Sequence, residues 1–158
     1  MIRKLLFATA VLVAAPAFAA MPPAQFLQHA IKGDNSEVRL GRLISHLGAS
    51  AQVRRFGATL TSDHSVARSQ AAALARRMGV RPPTAMTPDA RVEYARLSHL
   101  RGRAFDREVR RSMIADHQKD IAAFEAQARG GDPRTARLAR MQLPTLRKHL
   151  RIAESLRR

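Results

Sequence analysis

Apolar residues recur along this chain at three- and four-residue intervals, the spacing that gathers them on one face of a helix. Pro22 and Pro23 suit a first helical turn, and the stretch Ala24 to Leu47 then carries Phe26, Leu27, Ala30, Ile31, Val38, Leu40, Gly41, Ile44 and Leu47. Within it, Gly33-Asp34-Asn35 reads as a break or kink, with Asp34 or Asn35 re-capping the second half. Gly48 reads as the stop. Ser50 caps a second helix that ends near Gly79. Val53, Leu60, Ala67 and Leu74 recur on it every seven residues, with Gly57, His64, Ala71 and Met78 as a companion row.

Val80 to Pro88 is a linker holding Pro82, Pro83 and Pro88. Thr87-Pro88, a cap followed by proline at the first helical position, opens a short helix to about Leu100. Gly102 interrupts it. A third long helix runs from about Arg103 to Arg129, with Phe105, Val109, Met113, His117, Ile121 and Phe124 inward, and Gly130-Gly131 ends it. Asp132-Pro133 starts a fourth through Leu138, Met141, Leu146, Leu150 and Leu156, with a kink expected at Pro144, which removes one helical hydrogen bond. No stretch alternates with period two for the length of a strand. The pattern predicts an all-α chain: a four-helix bundle with a linker and short extra helix between the second and third long helices.

The first nineteen residues fall outside that pattern. Arg3 and Lys4 precede an apolar run from Leu5 to Ala15, and Ala17-Phe18-Ala19 supplies small residues at a cleavage spacing. That layout predicts a secretory signal peptide over residues 1–19, and the run is shorter than the roughly 20 apolar residues that span a bilayer. Residues 20–158 then form a single exported domain without a transmembrane segment, placed in the periplasm.

Composition narrows the chemistry. The 158 residues include no Cys, which excludes disulfides, thiolate metal sites and cysteine nucleophiles. Lys and Arg number 28 against 12 acidic residues, 24 of the cations being Arg, and removal of the signal leaves a net charge of +14. Such a surface attracts polyanions through salt-screened forces. Single-stranded nucleic acids are usually read through interleaved aromatics, and here aromatics are 4% of the chain and sit mostly on apolar stripes. Anionic envelope components are therefore the expected partners and nucleic acid is not.

The ordered set Glu37-Val38-x-Leu40-Gly41, Asp63-His64, Gly102-x-x-Phe105-Asp106-Arg107, Met113, His117, Phe124-Glu125 and Leu143-Pro144-x-x-x-x-His149-Leu150 resembles the exported, ferritin-like bundle family catalogued as domain of unknown function 4142. The resemblance spans nearly all of residues 20–158. It implies a ferritin-like four-helix fold in the periplasm, often labelled an outer-membrane protein, and no reaction.

A di-iron bundle needs Glu on two helices and Glu-x-x-His on the other two. The residues three before His64, His117 and His149 are Thr61, Ile114 and Leu146, so that centre is absent in its usual form. A smaller site stands open. His64 and His117 lie mid-helix on inward rows, Glu37 is near the middle of the first helix, and His149 is about one turn past the middle of the fourth. Two imidazoles and a carboxylate at one level suit Cu or Zn; a purely structural pairing of the same groups is the competing reading. Asp106 is expected to serve as favourable charge at its own helix start. Asp63, Asp116, Asp120 and Glu125 lie near the imidazoles in sequence and read by default as solvated charges, with orienting partners of those rings as the alternative; His29, His46 and His99 carry no special weight. No Gly-rich phosphate loop or nucleophile arrangement is present.

Overall fold

The computed structural model describes residues 19–156; the signal segment assigned to residues 1–19 lies outside them, Ala19 excepted. Five helices account for nearly all of the described chain, with no strand among the described residues: α1 (Pro23–Leu47), α2 (Ala51–Arg77), α3 (Pro88–Ser98), α4 (Gly102–Gly130) and α5 (Pro133–Ser155). No described helix is long and apolar enough to cross a membrane.

The capping chemistry read from the sequence sets most boundaries. The side chains of Ser50, Thr87 and Asp132 accept from backbone N–H groups in the first turns of α2, α3 and α5, which supplies acceptors to donors the helix leaves unpaired. At the end of α2, Gly79 adopts φ +70°. Its N–H reaches Arg76 O at 3.1 Å while Val80 N–H reaches Ala75 O at 2.8 Å, the paired bonds of a glycine-closed helix end.

The expected interruption at Gly33-Asp34-Asn35 is not there; α1 is continuous. Each polar side chain of that stretch has an acceptor or donor outside the helix or in its own turn. Asp34 bonds His64. Asn35 donates to Pro83 O at 3.0 Å and Ala85 O at 3.2 Å, and Ser36 Oγ accepts from Thr87 N–H at 3.0 Å. Tertiary partners pin the linker and override the local breaking tendency. Pro144 sits inside α5.

α1 lies along α2 and α4 along α5, with α2 touching α5 and α3 spanning α1 and α4. The α1–α2 crossing is close because it is made at two glycines. A Cβ on Gly57 would fall 2.6 Å from Gly41 O and 2.4 Å from Ser45 N.

The interior is not one continuous apolar mass. Phe26, Ile31, Leu74, Phe124, Leu138 and Leu146 belong to one cluster, and Leu40, Ile44, Phe56, Leu60, Phe105 and Met113 to another. Every long helix contributes to both, and on each the change of cluster falls at buried polar residues: Asp34 and Glu37 on α1, His64 on α2, His117 on α4 and His149 on α5. A polar layer thus separates two apolar halves. Met141, expected inward, is 50% exposed. The buried register of α5 runs through Leu138, Gln142, Leu146, His149 and Ala153, and Met141 falls off that stripe.

Candidate metal centre

The polar layer brings three imidazoles together. The ring centroids of His64 and His149 are 5.0 Å apart, those of His117 and His149 5.4 Å, and those of His64 and His117 6.0 Å. One ring nitrogen from each lies within 4.8 Å of those of the other two. The three helices reach this level for the same reason: each histidine occupies an inward position between apolar residues of the two clusters, so packing on both sides fixes its height.

Each ring is oriented by an oxygen. His64 Nδ1 meets Asp34 Oδ1 at 2.9 Å, His117 Nδ1 meets the Met113 carbonyl at 2.9 Å, and His149 Nε2 meets Asp63 Oδ2 at 2.8 Å. A carbonyl only accepts, so His117 carries its proton on Nδ1. The nitrogens left over are His64 Nε2, His117 Nε2 and His149 Nδ1, and all three are buried without a hydrogen-bond partner. Unpartnered polar atoms in a core are costly. Three on facing rings are the donor set an imidazole-bound cation uses, and second nitrogens held by carboxylate or carbonyl are how ligating histidines are oriented.

Burial works against charge on two of these rings, His117 and His149. Burial, reinforced by the neighbouring His64, depresses His117 to about 4. Burial and the same neighbour depress His149 to about 3, against the opposing pull of Asp63. Asp63 itself, despite the cost of burial, is drawn below its ordinary value by hydrogen bonds from Lys148 and His149. Neutral imidazole is the form that binds a metal.

Glu37 belongs to the layer but not to the triad. It is buried, its Oε2 has no partner, and its carboxyl is bonded to that of Asp116. Burial and the charges of Asp116 and Asp120 push it well above the usual carboxylate range. Burial and Asp120 likewise raise Asp116 to about 6. Of the four residues expected around the site, the imidazoles of His64, His117 and His149 are the ones whose nitrogens converge, and Glu37 stands beside them in the same layer. Counting from the ends of α5 misplaces His149 by a turn; counting along its buried register does not.

Several residues read as solvated have partners within the bundle. Asp63 orients His149, Asp116 pairs with Glu37, and Asp120 lies 3.5 Å from His29, which it raises above the ordinary histidine value. Glu125 alone keeps to the surface, meeting Arg147 and Arg129. Asp106 serves a different helix from its own: its two oxygens accept from Ala49 N–H at 2.8 Å and Ser50 N–H at 2.9 Å, holding the α1–α2 turn. Asp34, which the sequence offers as a helix cap, instead meets His64, and its place on the α1 stripe, three or four residues from Ile31, Ala30 and Val38, is the signal for that inward role.

The profile of the family described as a domain of unknown function (DUF4142) matches residues 8–156. The chain belongs to that family. Several residues that carry the resemblance, Glu37, Asp63-His64, His117 and His149, lie in the polar layer or beside it. The chain is also similar to a solved structure, the crystal structure of a DUF305 fragment from Deinococcus radiodurans, with 26% sequence identity and a TM-score of 0.74 over 86% of this chain and 95% of that one. No curated protein matches it.

Proposed function

We propose that this DUF4142 protein is an exported, non-catalytic protein whose four long helices form a ferritin-like bundle and hold one transition-metal ion on His64, His117 and His149. The observation that carries the reading is the trio of buried, unpartnered ring nitrogens on rings whose other nitrogens are fixed by Asp34, Met113 and Asp63. Nitrogens sharing one tetrahedral ion at 2.0–2.1 Å lie about 3.3 Å apart, so side-chain shifts of about an ångström convert the present spacing into a coordination sphere. Three imidazole nitrogens suit Zn and Cu, with a fourth position left for water or an exogenous ligand. Glu37, whose carboxyl is pushed well above the usual carboxylate range by burial, is not among the ligands in this reading.

Titration with Zn(II) or Cu(II) tests it. The protein should bind close to one equivalent and gain thermal stability by mass action, and His64→Ala, His117→Ala and His149→Ala should each abolish that gain. A parent that takes up no metal, or three variants that bind like the parent, makes the layer purely structural.

A second reading has its own observation. Arg39 and Arg42 of α1 and Arg68 and Arg76 of α2 line a groove of about 470 Å³ walled by Pro82 and Pro83, and none of the four has an acidic partner among the described residues. With a net charge of +14 after signal removal, this face fits anionic components of the outer membrane. Sedimentation with anionic vesicles should be strong at low salt and lost at high salt; no difference between the two rejects it.

A further inference from the structure

One ring of the triad borders a cavity. A cavity of about 120 Å³ opens among α1, α2, α4 and α5, and the imidazole of His64 forms part of its wall. Asp34 and Asp63, the carboxylates that orient His64 and His149, line it too. At its outer edge are Val66, 57% exposed, and Met141, whose place off the buried stripe of α5 puts its thioether at the opening. His29 and Asp120 complete the rim as an ion pair at 3.5 Å.

The charge of this cavity runs against that of the molecule. The chain carries 28 Lys and Arg, yet none of those among the described residues lines it, while three carboxylates do: Asp34, Asp63 and Asp120. Asp34 also keeps one oxygen, Oδ2, buried and without a partner. A larger groove on the other side of α1 and α4 touches none of the three imidazoles and mixes Lys32, Arg111 and Lys119 with its acids. In a strongly cationic protein, a carboxylate-lined cleft ending on an imidazole is a local sink for cations, because low-dielectric walls focus the field of the carboxylates.

We propose that this cavity is the passage by which a divalent transition-metal cation reaches and leaves the triad, with the Asp120 carboxylate as its outer docking group and the Met141 thioether beside the opening. The inference rests on the triad reading and adds a route and a rate to it. Asp34 and Asp63 serve twice, drawing the cation inward and holding the imidazoles that receive it. Val66 contributes only shape, which makes it the residue at which the passage is closed without touching a ligand.

Stopped-flow mixing with Co(II), whose visible absorption reports its coordination, separates passage from affinity. Asp120→Asn should slow loading about three- to tenfold, within the range by which charged clefts raise on-rates, and should flatten its salt dependence. Val66→Trp should slow loading and chelator-driven release together, leaving Kd within about twofold of the parent. Melting curves matching the parent show that both variants fold. Loading rates unchanged in both variants, with the parent Kd intact, overturn the passage alone. A change of Kd without a change of rate in Val66→Trp overturns it as well. A parent that shows no Co(II) absorption overturns the triad reading and the passage with it.

Discussion

Asp63 of α2 accepts a hydrogen bond from His149 Nε2 of α5 at 2.8 Å, and the opposite ring nitrogen, Nδ1, is left buried and unpartnered. The bond fixes which nitrogen carries the proton across two helices. Asp63→Ala removes the acceptor and frees the ring to turn. Loss of a carboxylate behind a ligating histidine typically weakens a metal 10–100-fold, so Zn(II) affinity measured by competition should fall by about that range with stoichiometry still near one. An affinity unchanged in Asp63→Ala would separate His149 from any ligand role.

The Asp106 carboxylate holds two backbone N–H groups at the α1–α2 turn, and both bonds are charge-assisted. Asp106→Ala leaves Ala49 and Ser50 N–H without acceptors at the start of α2. Bonds to a charged group contribute about 1.5–3 kcal/mol, so thermal denaturation should show a loss of about 2–3 kcal/mol, or about 5–10 °C for a domain of this size. Asp106→Asn keeps one acceptor and should lose less. Since Asp106 is on α4, the loss should appear as a single cooperative transition rather than as fraying of one turn.

Helix number, order and boundaries are legible in the sequence because they depend on short-range chemistry. Ser50, Thr87-Pro88, Gly79 and Asp132-Pro133 act within one turn of themselves. What misled the eye at Gly33-Asp34-Asn35 is long-range: the residues that satisfy Asp34, Asn35 and Ser36 stand 30 to 51 positions away. The site was half legible for the same reason. His64 and His117 stand out as lone interruptions of apolar stripes, whereas raising His149 from one turn away to their level requires knowing how α5 slides against α2. Glu37 shares the stripe and the level, but its neighbours across the interface, Asp116 and Asp120, are acids, and that pairing is a matter of register alone.

Gly33 and Gly57 make opposite predictions from the same substitution. A Cβ at Gly57 would meet backbone atoms of α1 at 2.4, 2.6 and 2.9 Å, none of which swings aside, so Gly57→Ala must push α1 and α2 apart. Alanine gains about 1 kcal/mol over glycine in a helix interior, and overpacking of about 1–3 kcal/mol or more exceeds it. Denaturant titration should show net destabilisation for Gly57→Ala. A Cβ at Gly33 meets only Asp120 Oδ2 at 3.9 Å, so Gly33→Ala should stabilise by about 0.5–1 kcal/mol. Equal effects of one sign would contradict the close crossing at Gly41 and Gly57.

The buried imidazoles fix the acid side of the stability curve. His117 and His149 are depressed to about 4 and about 3 by burial and by the neighbouring His64, against about 6.5 in an unfolded chain. Between those values the unfolded chain takes up protons that the folded chain refuses, so this contribution is complete above pH 6.5 and is lost as pH falls toward 4. Glu37 and Asp116 act in the other sense. Burial and neighbouring acids raise both, so their contribution is present at low pH and is lost as pH rises, for Asp116 through about 6. The two sets oppose one another across the weakly acidic range, and a net stability curve alone would hide both. NMR titration of the apo-protein resolves them. The ring carbon signals of His117 and His149 should stay at the neutral position from pH 7.5 to 5, while His29, raised by its bond to Asp120, should titrate above 6.5 in the same spectra. His117→Gln should flatten the loss of unfolding free energy between pH 6.5 and 4. A midpoint above 6 for either buried ring would mean that water or a charge reaches the layer, and that protons rather than metal would satisfy its open nitrogens at neutral pH.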